Sequence, residues 1–281
     1  MRRAGLTWDG DPRVKPPFGA AEIHGGHALS RLLSRGCWLF NEGAGAALVD
    51  SLGRTPGSFG DGAASRAPLW MVSERDRAVL FDGVDDNINL GTSAWLNPSY
   101  MTATCWIRPA ATQLDNWGVF LARWFNSTSY HFSSGDGTTV NKLKIFINTT
   151  GGTQSVAAPT AMTANRWYHV AFTWDGATLR LYQDGVQVAT AAHSGTLSST
   201  SDKTVLGNKV TTGADNPFTG QMGLVTLSEA PALPGELLQL YAEPYAMLRP
   251  RVSRRYFVPA AAGGMLPYTP LRRRQRRRLL T

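Results

Sequence analysis

Cysteine is scarce in this chain of 281 residues, which holds only Cys37 and Cys105. Two thiols cannot build the disulfide framework that holds small secreted domains together. One bridge between them is open, because both sit in apolar, strand-like text, GCWLF and TATCWI. The other reading is that each is a small buried hydrophobe in a reducing compartment. Long apolar runs are missing too. None approaches the roughly 20 residues that span a bilayer, so no membrane association is expected. No apolar segment follows Met1-Arg2-Arg3, and the beginning does not read as a secretory signal. Glutamate is rare, at Glu22, Glu42, Glu74, Glu229, Glu236 and Glu243 alone, and no acid follows Glu243.

That last absence reorganises the net charge of +8. Residues 249–281 hold ten arginines, which leaves eighteen Lys and Arg against twenty Asp and Glu in residues 1–248, a formal −2. The basicity belongs to a tail and the body is near neutral. Arg272, Arg273, Arg274, Arg276, Arg277 and Arg278 fall within seven positions. Such a run is either a solvated tail or a ligand for phosphates, nucleic acid among them, or for an acidic protein surface.

What the chain does have is punctuation. Its 29 Gly and 16 Pro separate thirteen short runs rich in β-branched and aromatic residues, from GCWLF (36–40) to GQMGLVTLS (220–228). Nothing between them has helical periodicity long enough to cross over a parallel sheet. The expectation is an all-β, antiparallel two-sheet sandwich over 36–248. Residues 1–35 read as an N-terminal arm or linker, and 249–281 as a basic, extended C-terminal arm. One helix is expected, from Pro234 to Ala242 and stopped by Pro244. Its Leu237, Leu238, Leu240 and Tyr241 would lie against the sandwich.

The most informative stretch runs from Trp167 to Val188. Tyr168, Val170, Phe172 and Trp174 alternate with Trp167, His169, Ala171 and Thr173; the first set is wholly apolar and should face the core. Asp175-Gly176 and Asp184-Gly185 then supply turns that tolerate positive φ. This Trp-x-His-Val-Ala-x-Thr-x-Asp-Gly pattern, followed by Leu-x-Leu-Tyr-x-Asp-Gly, resembles the LamG-like module of the concanavalin A-like lectin/glucanase superfamily. Trp38 to Gly45, Phe81 to Ile88, Met101 to Ile107 and Phe218-Thr219-Gly220 match further hallmarks in the same order. The resemblance implies a jelly roll. It also implies a calcium ion at the rim, to which Asp82, Asp85, Asp86 and Asn87 would offer oxygens. Gly223 stands where the family's closing strand commonly carries an acid, and turn formation is the competing role for these aspartates. No other cofactor is expected.

Catalysis is not expected. Glycoside hydrolysis needs two carboxylates facing one cleft, and no glutamate alternates with a second acid within a strand. Asp85 and Asp86 are adjacent and would point to opposite faces of a strand. Neither cysteine has a neighbouring His, and no Gly-x-Ser-x-Gly elbow occurs. A glycan site would need an aromatic platform beside an amide. Trp117, Trp124 and Asn126 are the candidates, against the alternative that the tryptophans fill the core. His131 and the other histidines lack metal-ligand company and read as ordinary strand or loop residues.

A lectin-like module without export signal or disulfides suits a virion protein, made in host cytoplasm and released by lysis. Glu243 to Arg251, followed by Tyr256 to Ala260, resembles the end of LamG-like proteins from tailed-phage structural gene clusters. That resemblance implies a non-catalytic bacteriophage virion protein, a capsid decoration or head/tail accessory component. It would be present in many copies or as a homo-oligomer, with its arms docked on other capsid or tail proteins. The alternative is a bacterial or viral glycan-binding or adhesion module that contacts cell-surface glycans.

Overall fold

Alternating apolar and polar side chains build two large antiparallel sheets in the computed structural model, which describes residues 8–251 except 112–116, 125–127, 136–137, 139, 211 and 213–214. In spatial order, sheet I comprises Gly152–Ala161, Val140–Thr149, Thr128–Gly135, Val119–Trp124, Thr204–Leu206, Ile88–Gly91, Gly57–Phe59 and Ala47–Leu48. Sheet II comprises Val186–Ala192, Thr178–Gln183, Tyr168–Trp174, Met101–Pro109, Thr219–Ser228, Asp76–Asp82 and Leu69–Ser73, with Gly36–Trp38 paired to the far half of Thr219–Ser228. Hairpins at the sheet edges alternate with pairings between strands distant in sequence, such as Thr219–Ser228 between Met101–Pro109 and Asp76–Asp82, as in a jelly roll.

Between the sheets lies the main core, in which Trp38, Phe81, Phe120, Phe132, Phe172 and Trp174 are fully buried. Tyr168, Val170, Phe172 and Trp174 all face into it, as their alternation predicts. The Asp184-Gly185 turn is a two-residue connection, with Gln183 opposite Val186 and φ of 50° and 79° at its two residues. Positive φ at both positions matches the right-handed twist of the flanking strands. A Cβ on Gly185 would also meet the Leu238 backbone at 2.8 Å, so glycine lets the helix pack onto this hairpin.

A second core covers the outer face of sheet II. Leu29, Leu32 and Leu33 of the 3-10 helix Ala28–Leu33 meet Leu237 and Leu240 of the α-helix Pro234–Ala242, with Trp106, Ala171 and Leu224 of the sheet beneath. This layer explains why His169, Ala171 and Thr173 are buried as well as their apolar neighbours. It also corrects the helix reading: Leu238 is 52% and Tyr241 36% exposed. Positions 237 and 240, three apart, share the inward face, although the Tyr241 ring still stacks on Trp106 at 5.9 Å.

Residues 8–35, read from the sequence as an arm, are thus woven into the body. Ala21–Ile23 pairs with Leu248–Pro250. The Lys15 ammonium is buried and donates to the Arg77 carbonyl at 2.6 Å. The strand Gly152–Ala161 escapes the sequence reading because GTQSVAAPTA holds few β-formers. Its Pro159 is tolerated because the strand is an edge, paired only to Val140–Thr149 and out of register around that proline.

The disulfide left open above does not form. Cys37 and Cys105 flank opposite edges of Thr219–Ser228, paired to Thr226 and Val225. Two strand spacings, roughly 9–10 Å, exceed the Cα separation a bridge allows. The side chains also lie in different cores, Cys105 in the inner and Cys37 in the outer one. Both are free, and burial pushes both thiols up. Among the described residues no helix is long and apolar enough to cross a membrane.

Candidate functional site: an aromatic recess on sheet I

The strands Val119–Trp124, Thr128–Gly135 and Val140–Thr149 are hydrogen-bonded neighbours, with His131 opposite both Ala122 and Phe146. Tyr130, Phe132, Ile145 and Ile147 occupy the inner face and are buried in the main core. By alternation His131, Phe146 and Trp124 fall on the outer face. Trp117 joins them from the segment just before Val119. The rings sit at steep angles to one another: Trp117 lies 5.4 Å from Phe146 at 50°, and Trp124 lies 6.0 Å from Phe146 at 67°. His131 stands among all three at 5.7–5.8 Å. Together with Lys209 and Asn216 they line a recess of about 290 Å³.

The loop between Thr204–Leu206 and Thr219–Ser228 brings the last two residues. The Asn208 carboxamide oxygen accepts from the Lys209 and Asp215 amides at 2.8 and 3.3 Å. The Val119 amide donates to the Asn216 carbonyl at 2.9 Å. Asn216 sits at φ 62°, a left-handed conformation that Asn tolerates better than most residues. Lys209 pairs with Asp215 at 2.9 Å. Lys144 lies over the rings of Phe146 and Trp117, at 4.3 and 5.4 Å.

His131 is the unusual group. It is only 5% exposed, and its Nδ1 has no hydrogen-bond partner among the described residues. Burial holds its imidazole down to about 3, with the Lys209 and Lys144 ammoniums acting in the same direction. It is therefore neutral at physiological pH. A buried neutral imidazole nitrogen without a partner costs stability.

Trp117 and Trp124, the platform candidates, are brought together here, while Asn126 lies outside the described residues. The sequence reading missed Phe146, Lys209 and Asn216, and passed over His131 as an ordinary strand residue. A signal for Phe146 was present. In Lys142-Leu143-Lys144-Ile145-Phe146-Ile147, parity puts Phe146 on the lysine side, an aromatic ring on a polar face.

The acidic candidates also converge. Asp82, Asp85 and Asp86 bring carboxylate oxygens within 4.8 Å of one another in the turn after Asp76–Asp82. The Asp82 amide donates to Asp86 Oδ2 and the Val84 amide to Asp82 Oδ1, each at 2.8 Å. Burial raises Asp86 to about 6 against its hydrogen bond from Asp82, and repulsion from both neighbouring aspartates adds to the rise. No Lys or Arg pairs with the three among the described residues. This oxygen-only donor set, short of positive charge, fits a hard divalent cation such as calcium. The arginine run 272–278 lies outside the described residues.

With the fold and recess defined, comparison with known proteins becomes informative. Residues 82–236 match the model of the concanavalin A-like lectin/glucanases superfamily. The chain belongs to this superfamily. Domain 4 of the GH43 extracellular arabinanase AbnA from Geobacillus stearothermophilus, solved with arabinotriose, is similar in structure. Its TM-score is 0.58 at 15% identity, covering 79% of this chain and 99% of that domain. The binding domain of Paraclostridial Mosquitocidal Protein 1 gives 0.57 at 13%, covering 73% of this chain and 51% of that one. The ligand-binding domain of botulinum neurotoxin serotype D, solved with N-acetylneuraminic acid, gives 0.54 at 12%, covering 75% and 51%. This superfamily member thus spans about half the length of the toxin domains, and at these identities the likeness is one of fold. No curated protein sequence matches the chain.

Proposed function

We propose that the chain is a non-catalytic glycan-binding module that takes a sugar in the aromatic recess of sheet I. The observation that carries this reading is the convergence of Trp117, Trp124 and Phe146 with Asn216 around one recess. The rings offer apolar faces to the C–H side of a sugar ring, and Asn216 offers a neutral polar group to its hydroxyls. The described lining carries no carboxylate pair, which hydrolysis of a glycosidic bond would need. Two structural neighbours, the arabinanase domain and the neurotoxin domain, were solved with sugars, which supports the reading by analogy of fold alone.

A glycan array with the full chain tests it. Retention of at least one glycan class is expected, and Trp117→Ala or Trp124→Ala should abolish it without loss of folding. A correctly folded chain that retains no glycan, or retention indifferent to both substitutions, would sink the proposal. Placement on a phage particle, in the setting that 243–260 resembles, is a second proposal resting on sequence resemblance. In that setting the same recess would face outward from the virion. Mass spectrometry of purified virions should then find the chain in many copies, and its absence from intact particles would defeat the idea.

A further inference from the structure

A groove of about 480 Å³ shares no residue with the recess on sheet I. Its walls come from residues 18–23, from residues 39–53 and from Leu248 and Arg251. Leu39 and Leu248 belong to the second core, so the groove opens onto that layer. Phe18 and Val49, both apolar, stay 49% and 42% exposed on its walls. Apolar walls, a few placed polar groups and a volume of this order are the usual form of a small-molecule site.

Two buried polar side chains line the groove, and they differ. Asp50 is saturated. Its Oδ1 accepts from the Cys37 and Leu52 amides, both at 3.0 Å, and its Oδ2 from the Arg54 and Thr55 amides, both at 3.1 Å. Asn41 is 5% exposed, and its Nδ2 donates to the Pro16 carbonyl at 2.9 Å. A carbonyl only accepts, so this bond settles which end of the carboxamide is oxygen. That Oδ1 accepts no hydrogen bond from the described residues. The chain turns sharply just before it: Phe40 holds φ at 55°, which a bulky residue adopts only where its surroundings impose it. Glu22 and Arg251, of opposite charge, also line the groove and give it no preference for a charged ligand.

We infer that this groove binds a small, neutral, largely apolar molecule that bears a hydroxyl group, with the hydroxyl donating to Asn41 Oδ1. The body of the molecule would cover Phe18, Leu39 and Val49. Burial of that apolar surface supplies most of the affinity, and the single hydrogen bond sets the class of ligand. The site is independent of the glycan-binding reading, because the two share no residue.

The test uses the full chain and two matched pairs of probes, 2-naphthol and borneol, each beside its methyl ether, which keeps the shape and loses the donor. Affinities are measured by NMR titration. At least one hydroxyl compound should bind about three- to tenfold more tightly than its ether. Val49→Trp, which fills the groove from an exposed position, should abolish binding, and Phe18→Ala, which removes a wall, should weaken it. Trp117→Ala in the sheet I recess should leave it unchanged. Equal affinity for both members of each pair would overturn the assignment of a hydroxyl ligand to Asn41. Binding that survives Val49→Trp and Phe18→Ala, or that is lost with Trp117→Ala, would move it away from this groove and overturn the inference. So would failure of the folded chain to bind any of the four probes. Thermal melting of each variant separates loss of binding from loss of fold.

Discussion

The two outer faces of this sandwich carry similar residue types and have different fates. On sheet II, Trp106, His169, Ala171 and Leu224 are covered by Ala28–Leu33 and by the helix Pro234–Ala242, and become a second core. On sheet I no described element covers Trp124, His131 and Phe146 in this way, and they line a recess with Trp117. Each face buries one histidine that burial drives down to about 3. An aromatic residue on the face away from the core is therefore structural or available according to what the rest of the chain lays over it. Its own strand does not decide.

That comparison can be broken most directly by truncating each face. Leu33→Ala or Leu240→Ala should lower the unfolding free energy by about 2–5 kcal/mol through the cavity each leaves, seen as a shift in the urea midpoint. Trp124→Ala on sheet I should cost less than either while removing glycan retention. Equal destabilisation on both faces would erase the distinction between them.

Acid should act on both faces. His131 and His169 stay neutral in the folded state down to about pH 3, whereas unfolded histidine binds a proton near 6.5. Between those values the unfolded chain holds more protons, so stability present above about pH 6.5 is lost as pH falls towards 3. The loss should be on the order of 1–4 kcal/mol per histidine. His169→Leu and His131→Leu should each flatten this acid limb of the stability profile. A profile unchanged by both would show that neither imidazole is buried neutral.

Calcium at Asp82, Asp85 and Asp86 would sharpen the comparison differently, because that cluster belongs to neither face. At a hundredfold excess over its dissociation constant it should stabilise by about 2.7 kcal/mol, visible as a rise in melting temperature that Asp86→Asn removes. No rise at millimolar calcium would assign the three aspartates to turn formation alone. The smallest effect is expected of reductant. With Cys37 and Cys105 facing different cores, dithiothreitol should leave the melting temperature unchanged, and any drop would point to a bridge.

Much of the fold was legible because strand periodicity is local. The set Tyr168, Val170, Phe172 and Trp174 announces one buried face within seven residues, and Asp184-Gly185 announces the turn through its tolerance of positive φ. The site was half legible. Trp117 and Trp124 were candidates for their chemistry, but their partners lie far along the chain and no local pattern links them. Lys209 and Asn216 arrive from a loop more than eighty residues after Trp124. Asn208 fixes that loop through hydrogen bonds whose acceptor is only defined once the loop has closed.

The sequence by itself determined the all-β class, the antiparallel pairing of the meander, the one helix and the near-neutral body with a basic tail. Each follows from short-range alternation, turn stereochemistry or a count of charges. Only the tertiary structure decided which outer face would be covered, that the two thiols stand on opposite sides of one sheet, and that His131 would be buried among three aromatic rings. Those outcomes depend on contacts between segments tens to hundreds of residues apart, set by burial of the whole chain rather than by the preference of any one strand.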